Sequence, residues 1–102
     1  MDDRDYVVRD NPKGRRYELL LDGERVGEIL YSLKPAKIVL LHTEIDPSLE
    51  GTGLGGHLVA DALDDIRSRG LQVVPLCPFV AAYIRRHPEY EDLVTRERSI
   101  AE

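Results

Sequence analysis

The hydrophobic pattern of the chain changes period near residue 50. Before it, short apolar runs alternate with turn residues, as strands do; after it, apolar positions recur at helical spacing. Tyr6-Val7-Val8 is a short strand candidate, broken at Asp10-Asn11-Pro12. Arg16–Leu21 and Glu24–Leu33 flank Asp22-Gly23. Asp-Gly between apolar runs is a hairpin signal, because a type I′ turn needs positive φ at both central positions. Lys34-Pro35-Ala36 turns the chain again, and Lys37–Ile45 reads as an apolar, central strand. The first half therefore predicts a four-stranded antiparallel meander.

In the second half Leu54, Leu58, Val59, Ala62, Leu63 and Ile66 share one helical face, with His57, Asp61, Asp64, Asp65 and Arg67 largely opposite. Gly70 suits a helix stop. Leu71–Leu76 reads as a short buried strand. Pro78 suits a first helical position, and Phe79–Arg86 continues helically up to Pro88. Tyr90 and Leu93 are expected to pack back. The order ββββ–α–β–α predicts an α+β fold whose strand–helix–strand unit makes two strands parallel. It forms one domain over residues 1–94, with a polar tail over 95–102.

Length and composition agree with one soluble domain: 102 residues, 42% hydrophobic, 32% charged. A net charge of -5 gives no general attraction to nucleic acid or an anionic membrane, so neither is an expected partner. No apolar run approaches the ~20 residues of a membrane span. The start, Met1-Asp2-Asp3-Arg4-Asp5, is unlike a signal peptide, and Cys77 is the only cysteine. These features predict a cytoplasmic protein without disulfides. One Cys and three scattered His give no metal-ligand spacing, so no metal is expected.

The chemistry concentrates in Glu50-Gly51-Thr52-Gly53-Leu54-Gly55-Gly56, between a strand and a helix. Glycine lets a ligand approach the backbone, and the amides opening a helix carry the positive end of its dipole. Together they make an anion site, most often for phosphate. Gly51-x-Gly53-x-x-Gly56 formally matches the dinucleotide fingerprint, which also needs an acid about 20 residues on for the ribose. Gln72–Cys77 holds none, and the preceding strands are antiparallel. A P-loop would need Gly-Lys-Ser/Thr, also missing.

A meander followed by x-x-Gly53-x-Gly55 opening a helix, then a strand and a helix, resembles the GNAT superfamily of N-acetyltransferases. Their motif is Gln/Arg-x-x-Gly-x-Gly/Ala, and its amides hold the pyrophosphate of coenzyme A. Glu50 stands at the Gln/Arg position. Glu50-Gly51-x-Gly53-Leu54-Gly55, Pro75-x-Cys77-Pro78-Phe79-Val80 and Tyr83-Ile84-x-Arg86-His87-Pro88-Glu89-Tyr90 resemble, over nearly the whole chain, small stand-alone GNAT-like proteins of the YjdJ type. The resemblance implies that the usual pair of helices between the first strands is replaced by the short loop Asp10–Arg15. It implies acetyl-CoA as acyl donor, cradled by Gly51, Thr52, Gly53, Leu54, Gly55 and Gly56. The pantetheine arm would pair with the strand ending at Ile45, and Arg86 and His87 could meet the phosphates.

Four residues are candidates for catalysis. Cys77 precedes Pro78 at a helix start, where a thiol pKa falls. It is either a nucleophile or thioester-lining thiol, or a small buried residue. His42 and Glu44 share one face of their strand by alternation. By resemblance Glu44, or His42, deprotonates the acceptor amine, and Tyr83 protonates the departing thiolate. Three functions stay open: an acetyltransferase acting on an unknown amine by direct attack on the thioester, a non-catalytic coenzyme A or acyl-CoA sensor, and a partner-binding domain keeping only the fold. A monomer or a weak homo-oligomer is expected.

Overall fold

The computed structural model describes residues 5–95. Five strands form one sheet in chain order: β1 (Tyr6–Asn11), β2 (Arg16–Leu21), β3 (Glu24–Leu33), β4 (Lys37–Ile45) and β5 (Gln72–Pro75). The first four run antiparallel, and β5 lies parallel to β4. Helix α1 (Leu54–Ser68) makes the crossover, and α2 (Pro78–Arg86) follows β5. The anticipated α+β order, the hairpin and both helices are all present.

Local chemistry explains the turns. Asp22 and Gly23 take φ 52° and 84°, both positive as the tight hairpin requires. Between β1 and β2 no helix intervenes. Asn11 closes that loop instead, its carbonyl and side-chain oxygens both accepting from the Gly14 N–H. This corrects one expectation: β1 does not break at Asp10 but runs to Asn11, paired with Tyr17 and Arg16. A second correction concerns β5. Pro75 ends the pairing, so Leu76 is exposed rather than buried in a strand.

The core lies on one side of the sheet. Tyr17, Leu19, Ile29, Ile38, Leu40 and Val73 from the strands meet Leu58, Leu63 and Ile66 of α1 and Val80 and Ile84 of α2. Each fully buried aliphatic side chain contributes about 1.5–3 kcal/mol. Tyrosine–carboxylate bonds fasten the polar side of α1 to its neighbours: Tyr17 donates to Asp65 at 2.7 Å and Tyr90 to Asp64 at 2.9 Å. Tyr90 and Leu93 pack back, as expected, in a 3-10 turn over Pro88–Leu93. Beyond it Val94 bridges to Val73, and the Thr95 N–H donates to the Val73 carbonyl at 3.0 Å. The rest of the anticipated tail lies outside the described residues, as do residues 1–4 of the acidic start.

Among the described residues no helix covers the opposite face. There Glu18 is only 2% exposed. Asn11 (3.0 Å), Arg16 (2.7 Å), Arg9 (3.1 Å) and Arg25 (3.3 Å) all donate to its carboxylate. Asn11, then the arginines, hold its pKa down at about 2. A charged cluster thus closes part of a surface that has no apolar cover. No helix of the described residues is long and apolar enough to cross a membrane.

Candidate functional site

β4 is the strand around which the site is built. Ile38 and Leu40 point to the core, but Leu41 and His42 are both exposed and Thr43 turns back inward. The ladder explains this: Tyr31 pairs with Leu40 and Leu30 with His42, leaving Leu41 as the extra residue of a bulge. A bulge re-aims every side chain beyond it. Thr43 and Ile45 therefore face the helices, and His42 and Glu44 face the helix-free side. Their shared face agrees with the simple alternation. His42 Nε2 lies 3.4 Å from a Glu44 carboxylate oxygen, both side chains being exposed.

On its other edge β4 pairs with β5 only from Lys37 to Leu40. Past that point the Cys77 N–H donates to the Leu40 carbonyl at 2.9 Å, and the chain departs into α2. The two strands part as a fork, leaving the β4 edge from Leu41 to Ile45 unpaired with β5.

The glycine loop stands at the mouth of this fork. Gly51 and Gly53 adopt φ 84° and 85°, and an added Cβ at either would meet open space. Gly53 caps α1, and Thr52 Oγ1 accepts from the Leu54 N–H at 3.2 Å. Helical bonding begins only when the His57 N–H reaches the Gly53 carbonyl. Among the described residues the N–H groups of Gly51, Gly53, Gly55 and Gly56 donate to no protein acceptor. At Gly55 a Cβ would lie 3.1 Å from the Phe79 ring and 3.6 Å from Ile45. Glycine there lets the end of β4, the start of α1 and the start of α2 close together. Four uncommitted amides, two of them on the dipole end of a 15-residue helix, fit a diphosphate. Glu50 is exposed in extended backbone at the edge of this cradle.

The remaining candidates fall at different distances from the fork. Cys77 is the N-cap of α2, as its place before Pro78 anticipated, but it is 2% exposed. Its Sγ lies 3.2 Å from Thr43 Oγ1. Tyr83 packs beside Gly56, where an added Cβ would be 3.5 Å from its ring, and it stacks on His87 at 4.0 Å. Burial, and then Glu89, Asp64 and Asp61, raise its phenol pKa, so it keeps its proton at neutral pH. His87 caps the far end of α2, with Arg86 exposed beside it. His57 stacks on Tyr6, with its Nδ1 3.2 Å from the phenol oxygen.

On the helix-free side an open groove of about 810 Å³ runs along Arg25, Glu28, His42, Glu44 and Asp46. Glu28 stands directly opposite Glu44 across the ladder. Sequence reasoning missed the bulge, the Thr43 contact, the packing of Phe79 against Gly55 and the groove residues of β3. Only the Leu40-Leu41 doublet, where apolar alternation slips, signals the bulge in advance.

The sequence matches the family model described as GCN5-related N-acetyl-transferase over residues 16–93. No curated protein sequence matches it. Among solved structures it is similar to the ribosomal-protein-S18-alanine N-acetyltransferase from Escherichia coli. That match has 17% identity and a TM-score of 0.58, and covers 86% of this chain and 54% of that one. A Trypanosoma brucei acetyltransferase matches at 25% identity with a TM-score of 0.45, over 85% of this chain and 66% of that one. The chain thus spans about half to two thirds of the length of these structures. A family match over most of the sequence, on a fold shared with the Escherichia coli enzyme, places the chain in the GCN5-related N-acetyltransferase family.

Proposed function

We propose that the protein is an N-acetyltransferase that takes its acetyl group from acetyl-CoA and passes it to an amine by direct attack. The observation that carries this reading is the set of uncommitted amides at Gly51, Gly53, Gly55 and Gly56, beside the fork between β4 and β5. Those amides, with Thr52 and Leu54 shaping the loop, would hold the pyrophosphate. Unpaired backbone groups of β4 up to Ile45 would hold the pantetheine arm. Arg86 and His87 supply positive charge for the remaining phosphate. When bound, acetyl-CoA supplies an acetyl group activated as a thioester.

The chain's own groups then handle two protons. Glu44, or His42 beside it, removes a proton from the acceptor ammonium, because only the free amine is nucleophilic. The amine nitrogen bonds to the carbonyl carbon as the carbon–sulfur bond breaks, and the nitrogen releases its second proton to solvent as the amide forms. Tyr83, still protonated, donates to the leaving sulfur. Strand amides of β4 polarise the carbonyl oxygen. Cys77, with its thiol buried against Thr43, lines the fork in this scheme. A cytoplasmic setting keeps that thiol reduced.

The test is free-thiol release from acetyl-CoA with a panel of amines and peptides, preceded by thermal shift with coenzyme A and with NAD. A ligand at 100 times its dissociation constant stabilises by about 2.7 kcal/mol. No shift with saturating coenzyme A refutes the cofactor assignment. The uncovered sheet face beside His42 and Glu44 favours a second reading, a coenzyme A sensor without turnover. Binding with no acceptor-dependent thiol release would select it.

A further inference from the structure

Leu41 and Leu76 are 44% and 63% exposed, and both sit where β4 and β5 part. The last register pair of the parallel ladder is Leu40 with Pro75. One step further along each strand stand these two leucines. Val39 and Val74 form the pair one step before Leu40 and Pro75, and both are half-buried. Ile38 and Val73, the pair before that, are buried in the core on the helix side. Alternation therefore places Val39, Leu41 and Val74 on the helix-free side, and exposed Leu76 follows directly on the end of β5. The bulge keeps Leu41 there.

Single exposed leucines need no explanation. One apolar ladder pair, Val39 with Val74, and two exposed leucines just past the end of that ladder, at the closed end of a fork, are a different matter. Acetyl is too short to touch them all. From Val39 to Leu41 the strand rises about 7 Å, the length of a chain of about six carbons. The Phe79 ring packs against Gly55 of the glycine loop, while the exposed apolar side chains at the closed end of the fork are Leu41 and Leu76.

We infer that the donor site takes thioesters with acyl chains longer than acetyl, of about four to six carbons, laid on Val39, Leu41, Val74 and Leu76. The inference rests on the reading of the fork as the thioester site. It alters the donor, not the type of reaction: the corresponding carbon–sulfur bond breaks, coenzyme A leaves as its thiol, and the amide of the longer acyl group forms.

Calorimetric titration without any acceptor tests it, using coenzyme A and its acetyl, butyryl and hexanoyl thioesters. Each added methylene is expected to lower Kd by about twofold to fourfold. In the Leu41→Ser, Leu76→Ser double variant that gain disappears while coenzyme A itself binds as before. A Leu41→Met, Leu76→Met variant retains the gain. Val7→Ser, at an exposed apolar position on the far edge strand, also retains it. A flat series in the unaltered protein overturns the inference and leaves the acetyltransferase reading standing. So does a gain that persists in the double serine variant, or one lost equally in Val7→Ser. Failure of coenzyme A itself to bind overturns the cofactor reading and this inference with it.

Discussion

Replacing Glu18 with Gln probes the charged cluster on the helix-free face and yields a signed pH dependence. Asn11, Arg16, Arg9 and Arg25 all donate to this carboxylate and depress its pKa from 4.5 to about 2. A folded-state value below the unfolded one contributes stability that is present above pH 4.5. That stability is lost as pH falls from 4.5 toward 2. The full difference corresponds to about 3 kcal/mol at neutral pH. Arg9 and Arg25 are half-exposed, however, and solvent screens their charges. We therefore expect Glu18→Gln to cost about 1–2 kcal/mol at pH 7, since the amide retains one acceptor for four donors. In a domain of this size that lowers Tm by roughly 4–16 °C. Urea unfolding of both proteins at pH 7, 5, 4, 3 and 2 reads the difference directly, because other carboxyls titrate in both and cancel. The gap should be constant from pH 7 to 5 and close below pH 4.5. A gap that stays constant down to pH 2, or no gap at pH 7, refutes the electrostatic account of this cluster.

Three further outcomes follow from the site. Gly53→Ala forces a Cβ onto φ 85°, costing about 1–2 kcal/mol, and should weaken the thermal shift by coenzyme A more than it lowers the Tm of the free protein. Glu44→Gln should reduce kcat by about 10²- to 10⁴-fold with coenzyme A affinity unchanged; retention of full kcat removes Glu44 as the base and turns attention to His42→Gln. Cys77, sealed beside Thr43, should resist alkylation by iodoacetamide in the folded protein and react fully in urea, read by intact mass. Cys77→Ala should keep its turnover; loss of turnover with an intact fold would instead support a covalent route.

Much of this architecture was legible because its signals are local. Asp22-Gly23 fixes a hairpin through backbone torsions alone, and the helical spacing of Leu54–Ile66 fixes the buried side of α1. The glycine loop announces uncommitted amides without reference to distant residues. What sequence reasoning could not see depends on partners far along the chain. Glu18 looks like any outward strand residue; its burial comes from arginines on three strands. Leu76 extends an apolar run that Pro75 has already cut off from its ladder. The bulge at Leu41 appears where the stretch Gly27–Leu33 pairs with the one-residue-longer stretch Ile38–Ile45, and β4 alone hints at it only through the Leu40-Leu41 doublet. Cys77 was placed at its helix start from Pro78, but its seclusion depends on Thr43, which the same bulge turns inward.

The pairing of β4 with β5 also sets an order of assembly. Every other pair among the five strands joins neighbours of the meander, while this one joins Lys37 to Gln72 across the whole of α1. Closing a long loop costs entropy before its contacts return any stability, so such pairings form late. The fork is the product of that pairing. The meander can gather first, and the ligand cleft comes into being only as the last strand docks. Its four short register pairs are also the part of the sheet with least to hold it, so local opening there should precede global unfolding. On the proposed reading, a coenzyme A thioester bound in the fork would hold this last-formed pairing closed.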